Sequence, residues 1–290
     1  MGLRLKFNLV LLAGLLAGMG LASALLYRQV FASARDQVLS EASLMSAQAD
    51  AISAYTADEI APLVTAQFSR RFLPQSVPAW AAQTNFRAVQ KTMPDYAYRT
   101  VMLNPTNPAD TASDWQKEVI GTFHADPALK QLVTERDGPA GPVLSMSRPI
   151  VIADKACLAC HSTPEAAPAS MIDLYGSKNG FNWVLNEVLG ARIVSVPMAV
   201  PLARAWTTFT GMLVWIGLVF VLVMLLLNVL LQYAIIRPVR RIAASADAVS
   251  LGNMDAPELA IRGRDEISVL GEAFNRMRRS LSNAMRMLEE

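Results

Sequence analysis

Two cysteines and a histidine carry the clearest chemistry in this sequence. Cys157-Leu158-Ala159-Cys160-His161 places two thiols two positions apart, with an imidazole directly after the second. This is the attachment pattern of a c-type haem. Each thiol can add to a porphyrin vinyl group, and His161 can then reach one face of the iron as an axial ligand. Cys157 and Cys160 are the only cysteines in the 290-residue chain.

Other chemistries for the motif need partners that the sequence does not supply. A redox dithiol of thioredoxin type belongs in a βαβ context, whereas here a strand precedes and a Pro/Ala-rich loop follows. A structural zinc needs four ligands, so His124 or a distant carboxylate would have to complete the set. A disulfide across two intervening residues closes too short a loop to stabilise much, and leaves His161 without a role.

The sixth iron position stays open. His124 is the only other histidine and is a candidate ligand. It sits at the end of an expected helix, where a histidine also interacts favourably with the helix dipole. Met45, Met102, Met146 and Met171 are candidate sulfur donors or core-filling residues, and a vacant or water-bound site is the third option. Haem propionates need donors, and Tyr98, Arg99, Asn104 and Arg148 lie on or beside expected strands.

The rest of the chain must place this motif outside a membrane. Two uncharged apolar stretches, about Leu9 to Leu26 and about Thr207 to Leu231, each reach the roughly 20 residues a bilayer requires. Arg4 and Lys6 precede the first, and Arg237, Arg240 and Arg241 follow the second. Basic flanks stay in the cytoplasm, so the intervening region is expected in the bacterial periplasm and the molecule is a two-pass inner-membrane protein. From Arg28 to Arg204 there are 15 basic and 16 acidic residues, nearly neutral. Tyr27, Trp206 and Tyr233 stand at interface positions. Ala22-Ser23-Ala24 also fits a signal-peptide cleavage site, but the apolar run continues through Leu26, which favours a retained anchor. The net charge of +2, without basic-aromatic clustering, argues against nucleic acid.

In chain order, Gly14 and Gly18 have small-xxx-small spacing. Residues from Val30 to about Val64 read as one amphipathic helix with Val38, Leu39, Leu44, Met45, Ile52 and Tyr55 recurring. Tyr98 to Leu103 is strand-like, and Asn104-Pro105-Thr106-Asn107-Pro108 is a turn cluster. Ser113 with Gln116 resembles a capping box, opening a helix that buries Trp115, Val119, Ile120 and Phe123. Residues 143–152 read as a strand with one buried side, Leu144, Met146, Ile150 and Ile152. Tyr175, Gly176, Gly180 and Gly190 mark a flexible region, and Ala191 to Met198 a last strand. Asn228 is a candidate interhelical hydrogen-bonder in the second span. This mixture predicts an α+β domain.

After the second span, Val239, Ile242, Ala246 and Val249 form one helical stripe. Ile267, Leu270, Phe274, Met277, Leu281, Ala284 and Leu288 form another at alternating 3-4 spacing, an a/d seam. Two such helices bury their seams in a parallel homodimer. The tail resembles a HAMP linker over about Ile236 to Met287, on Pro238, Asp265-Glu266 and Phe274-Asn275-Arg276-Met277.

The outer region resembles a family of single-haem, PAS-like periplasmic sensor domains, long catalogued as a domain of unknown function and often followed by HAMP. The likeness covers about Tyr55 to Met198. It rests on Tyr98-Arg99, Leu103-Asn104-Pro105-Thr106-Asn107-Pro108, Trp115, the Cys157–His161 motif, Tyr175-Gly176 and Gly190-Ala191-Arg192-Ile193-Val194-Ser195-Val196-Pro197. It implies a PAS-like antiparallel sheet flanked by helices, one covalent haem c, and sensing of redox state or a diatomic gas. The expected division is 1–28 (cytoplasmic tip and first span), 29–205 (haem domain), 206–235 (second span) and 236–290 (HAMP). The expected function is a membrane sensor signalling to a separate cytoplasmic partner, without a catalytic module because none precedes Glu290. The alternative is a membrane-anchored c-type cytochrome carrying electrons, which leaves the HAMP-like tail idle.

Overall fold

The computed structural model describes residues 2–64, 70–253, 257–261 and 263–289. The elements fall into two units, one of residues 1–25 and 210–290 and the other of residues 26–209.

Residues 26–209 form an α+β domain on a four-stranded antiparallel sheet. Its strands are β1 (Ala97–Met102), β2 (Leu132–Gly138), β3 (Gly141–Val151) and β4 (Val188–Pro197), in spatial order β1-β4-β3-β2. β2 and β3 make a tight hairpin in which Gly138 pairs with Gly141. The connection from β3 to β4, residues 152–187, carries the Cys157–His161 motif and the short helix α6 (Ala169–Tyr175).

Both faces of the sheet are covered. The long helix α1 (Leu3–Tyr55) lays Ala34, Val38, Ala42 and Ala49 toward the domain, a stripe at helical spacing whose small side chains permit close approach. With α3 (Pro78–Gln90), it covers Tyr98, Leu144, Met146, Val194 and Val196. Between them runs a one-turn α2 (Ala61–Val64). Leu44 and Tyr55, expected on the buried stripe, are instead exposed, because alanines occupy the face that meets the sheet. On the opposite face α4 (Asp114–Ala125) buries Val119, Ile120 and Phe123 against Val101, Ala191 and Ile193, with Trp115 packed alongside. Its start is the expected box: the Ser113 N–H donates to Gln116 Oε1 at 2.8 Å.

Two-sided cover corrects the one-sided reading of residues 143–152. Ser145 and Ser147 are as fully buried as Leu144, and the Ser145 and Ser195 hydroxyls meet at 3.0 Å across the two central strands. A bulge between Ile150 and Val151 then breaks the alternation.

β4 gives way after Met198 to α7 (Ala199–Leu230). At the end of the domain Tyr27 and Phe31 of α1 meet Trp206 and Phe209 of α7, with ring centroids 4.4–6.1 Å apart. Among the described residues, two helices are long and apolar enough to cross a membrane, Arg4–Val64 and Ala199–Ser250. Within the second, Asn228 donates to the Met224 carbonyl of its own helix at 2.9 Å.

The tail folds as α8 (Arg237–Ser250) and α9 (Glu266–Glu289). The Asn275 amide grips the connector twice, accepting from Leu259 N–H at 3.1 Å and donating to its carbonyl at 3.0 Å. Asp265 Oδ1 caps α9 by accepting from Ser268 N–H at 2.8 Å. Phe274 and Val249 are buried, whereas Leu270, Met277 and Leu281 of the same seam are exposed. The side chain of Leu288 lies outside the described residues.

Candidate haem site

The motif begins one turn after β3. Asp154 Oδ1 accepts from Ala156 N–H at 2.8 Å and its carbonyl from Cys157 N–H at 3.2 Å. That cap starts a 3₁₀ turn, Lys155–Cys157, which runs into the short helix α5 (Leu158–His161). Residues three and four apart share a helix face, so Cys157, Cys160 and His161 line one side. Both thiols are free and half-buried. Burial raises the pKa of each, reinforced at Cys157 by the Asp154 carboxylate and at Cys160 by Cys157.

His161 is held on one edge and one face. Its Nδ1 lies 2.8 Å from the Gly180 carbonyl and 3.3 Å from Thr106 Oγ1. A carbonyl only accepts, so Nδ1 carries the hydrogen and Nε2 keeps a lone pair. Trp183 stacks on the ring at 3.9 Å with planes 10° apart. Burial lowers the His161 pKa, and the Gly180 bond only partly opposes this. With Nδ1–H turned to the Gly180 carbonyl, Nε2 is the ring atom that a metal can take.

Three separate stretches of chain converge here. Asn182 N–H donates to Ser162 O at 2.9 Å and Trp183 N–H to His161 O at 3.3 Å. Asn182 adopts φ +62°, which Asn tolerates better than most residues. Asn104 Oδ1 accepts from Gly180 N–H at 3.0 Å while its Nδ2 donates to Phe181 O at 3.4 Å. Gly180 has φ +83°, and a Cβ there would fall 2.1 Å from Thr106 Oγ1. Glycine alone fits both constraints.

Of the residues expected around the cofactor, Asn104 reaches His161 through Gly180. The contacts of the others run elsewhere. Tyr98 is buried beside Phe86, centroids 4.9 Å apart, on the α1 and α3 side of the sheet. Arg99 donates to the Ala109 carbonyl at 2.6 Å. Arg148 pairs with Asp50 of α1 at 3.3 Å, and Arg192 pairs with the same carboxylate. His124 sits exposed in the last turn of α4, with Nε2 2.6 Å from the Val188 carbonyl. Met146 and Met171 are buried, Met45 borders the α1 core, and Met102 stands opposite Gly190. Among the described residues, no three His, Cys, Asp or Glu side chains converge as a metal-holding group.

Sequence reasoning missed Thr106, Gly180 and Trp183 as parts of this site. The signals were present in weak form. Thr106 lies inside the Asn/Pro turn already singled out, and Trp183 is a lone indole in a Gly- and Asn-rich stretch where no core helix or strand needs one.

Residues 29–197, more than half the chain, match the family model Tll0287-like (Tll0287), and residues 230–283 match the HAMP domain. The chain belongs to the Tll0287-like family, and its family domain is followed by a HAMP domain. No curated protein matches it. Among solved structures it is similar to the crystal structure of the cyanobacterial heme-protein Tll0287, at 17% identity and a TM-score of 0.43, over 55% of this chain and 94% of that one. A domain of this family between two apolar helices and ahead of a HAMP domain suggests a membrane sensor that relays a signal.

Proposed function

We propose that this protein is a membrane-bound sensor holding one covalent haem c on Cys157 and Cys160, with His161 as axial iron ligand. The single observation that carries the reading is the 2.8 Å contact between His161 Nδ1 and the Gly180 carbonyl. Nδ1–H is committed to Gly180, so Nε2 is the atom left to bind iron, and two thiols share its helix face. The same residues suit zinc poorly, since they do not gather as a three-donor group. When bound, haem would supply a one-electron redox centre and a sixth position able to take a diatomic ligand.

The chain's own residues then determine what can be relayed. His161 is tied through Gly180 to Asn104, one residue beyond the Leu103 N–H that bonds Leu189 of β4 at 3.3 Å. β4 leads into α7 with only Met198 between them. The proposed division is 1–28, 29–205, 206–235 and 236–290, with a PAS-like domain 29–205 in the periplasm and the HAMP in the cytoplasm of a two-pass inner-membrane protein. The exposed half of the α9 seam supports a parallel homodimer acting on a separate cytoplasmic partner. No catalytic role is assigned. The HAMP domain favours sensing over the alternative of an anchored electron carrier, for which that domain has no use.

Denatured full-length protein, made in cells with c-type maturation, should retain its haem absorbance, and Cys157→Ser with Cys160→Ser should abolish it. Covalent haem persisting in the double variant would sink the assignment. Reduced spectra with carbon monoxide or nitric oxide distinguish an open sixth site from one filled by His124, a methionine or another side chain. If exchanging the residues after Pro238 leaves every cellular response intact, the carrier reading replaces the sensor.

A further inference from the structure

The turn after β1 contributes to the His161 site from 55 to 76 residues away in sequence, and propionate binding does not account for these contacts. We propose that Asn104 and Thr106 are positioning residues for the axial histidine: they hold the Gly180 carbonyl on Nδ1–H and so set how strongly Nε2 donates to iron. This inference rests on the haem reading above.

The geometry is that of a bracket. One Asn104 amide engages the chain on both sides of the Gly180 carbonyl, accepting from Gly180 N–H at 3.0 Å and donating to Phe181 O at 3.4 Å. Fixing those two groups fixes the direction of the carbonyl between them. Phe181 is buried, which anchors the far side. Thr106 is the backstop: a Cβ on Gly180 would lie 2.7 Å from its Cα, so the Gly180 backbone is seated directly on it. Its Oγ1, 3.3 Å from Nδ1, is a second and weaker acceptor for the same hydrogen.

The bracket is itself held rigidly. Leu103 N–H bonds Leu189 O, Pro105 is buried, and Asn107 Oδ1 accepts from Ala109 N–H at 3.1 Å. Asn104 is exposed, and exposed residues seldom matter for stability. An exposed amide spent on two backbone groups beside a ligand histidine points to tuning. A well-held Nδ1–H···O=C bond raises ligand basicity, which favours the oxidised, more electron-poor iron. Loosening it should therefore raise the reduction potential. This role differs from propionate binding in that the amide oxygen and one N–H of Asn104 are engaged by the chain itself.

The test uses the full chain in detergent, matured with covalent haem, as wild type, Asn104→Ala, Thr106→Val and Asn104→Asp. Covalent haem content is measured first: wild type without it defeats the haem reading, whereas a loaded wild type isolates the present inference. Asn104→Ala should shift the reduced-to-oxidised ratio at fixed potential about tenfold toward reduced, 59 mV for one electron. Thr106→Val should move it the same way by less. Asn104→Asp keeps the acceptor for Gly180 N–H and adds negative charge, so it should lie at or below the wild-type potential. Solvent exchange of the His161 Nδ1–H, followed by NMR, should quicken in the Ala and Val variants only. Loaded Asn104→Ala at the wild-type potential overturns the proposal, as do positive shifts in both Asn104 variants. If Asn104→Ala fails to hold haem, an unchanged potential in Thr106→Val overturns it and a positive shift there upholds it.

Discussion

Gly180 is the residue with the least freedom in the candidate site, since its φ of +83° and its seat on Thr106 each exclude a side chain. Gly180→Ala should cost about 1–3 kcal/mol from the backbone conformation alone, and more from the contact with Thr106. A lowered thermal midpoint together with reduced haem retention is expected, and an unchanged midpoint would contradict the geometry. At this scale the sequence was informative where chemistry demands fixed spacing. The spacing of Cys157, Cys160 and His161 marked the candidate site from the sequence, and the proposed pair of thioether bonds and axial ligand rest on that spacing. The sequence was silent where two short stretches meet across the fold. Asn104 could be placed beside a strand but not against Gly180, and nothing local to Trp183 says that it stacks on an imidazole.

Between elements, one carboxylate of α1 does the joining. Arg148 of β3 and Arg192 of β4 are direct cross-strand partners, a like-charge pairing that is unfavourable by itself. Asp50 sits across both. The groups are partly solvated, so Asp50→Ala should destabilise the domain by only about 1 kcal/mol. Asp50→Ala combined with Arg192→Met should recover part of that loss, because the remaining arginine no longer faces its like, and urea titrations of the double-mutant cycle would read it. In the tail, the Ser268 hydrogen bonds hold the Asp265 pKa below the ordinary carboxylate value. The cap's contribution is complete above the unfolded pKa and is lost as pH falls through the lowered folded value. Amide exchange at Ser268 and Val269 should therefore accelerate only in that acid range, and Asp265→Asn should flatten the dependence. The helices were legible because their apolar periods are long. β2 was not, since Leu132–Gly138 alternates mostly polar and charged residues, and an edge strand has little apolar signal. The burial of Ser145 and Ser147 was equally hidden, because a hydroxyl says nothing of the two layers that enclose it.

At the scale of the whole chain, the order of apolar helix, family domain, apolar helix and HAMP was readable from composition and heptad spacing. The detailed packing was not, since small residues such as Ala34, Ala42 and Ala49 form the contact that larger ones would have advertised. The α9 seam makes a direct prediction. Met277 is 58% and Leu270 50% exposed, so Met277→Cys should cross-link two copies in membranes under mild oxidant. Leu270→Asp should suppress that cross-link at least several-fold; equal yields would argue against a seam-to-seam dimer. The ring cluster of Tyr27, Phe31, Trp206 and Phe209 has its own mechanical consequence. Rings inclined at 63–79° across the two helices still attract when offset by a one-residue slide of about 1.5 Å, because aromatic pairs hold over centroid separations of about 4.5–7 Å. The cluster therefore ties α1 to α7 at that level through a contact that tolerates small rotations and shifts.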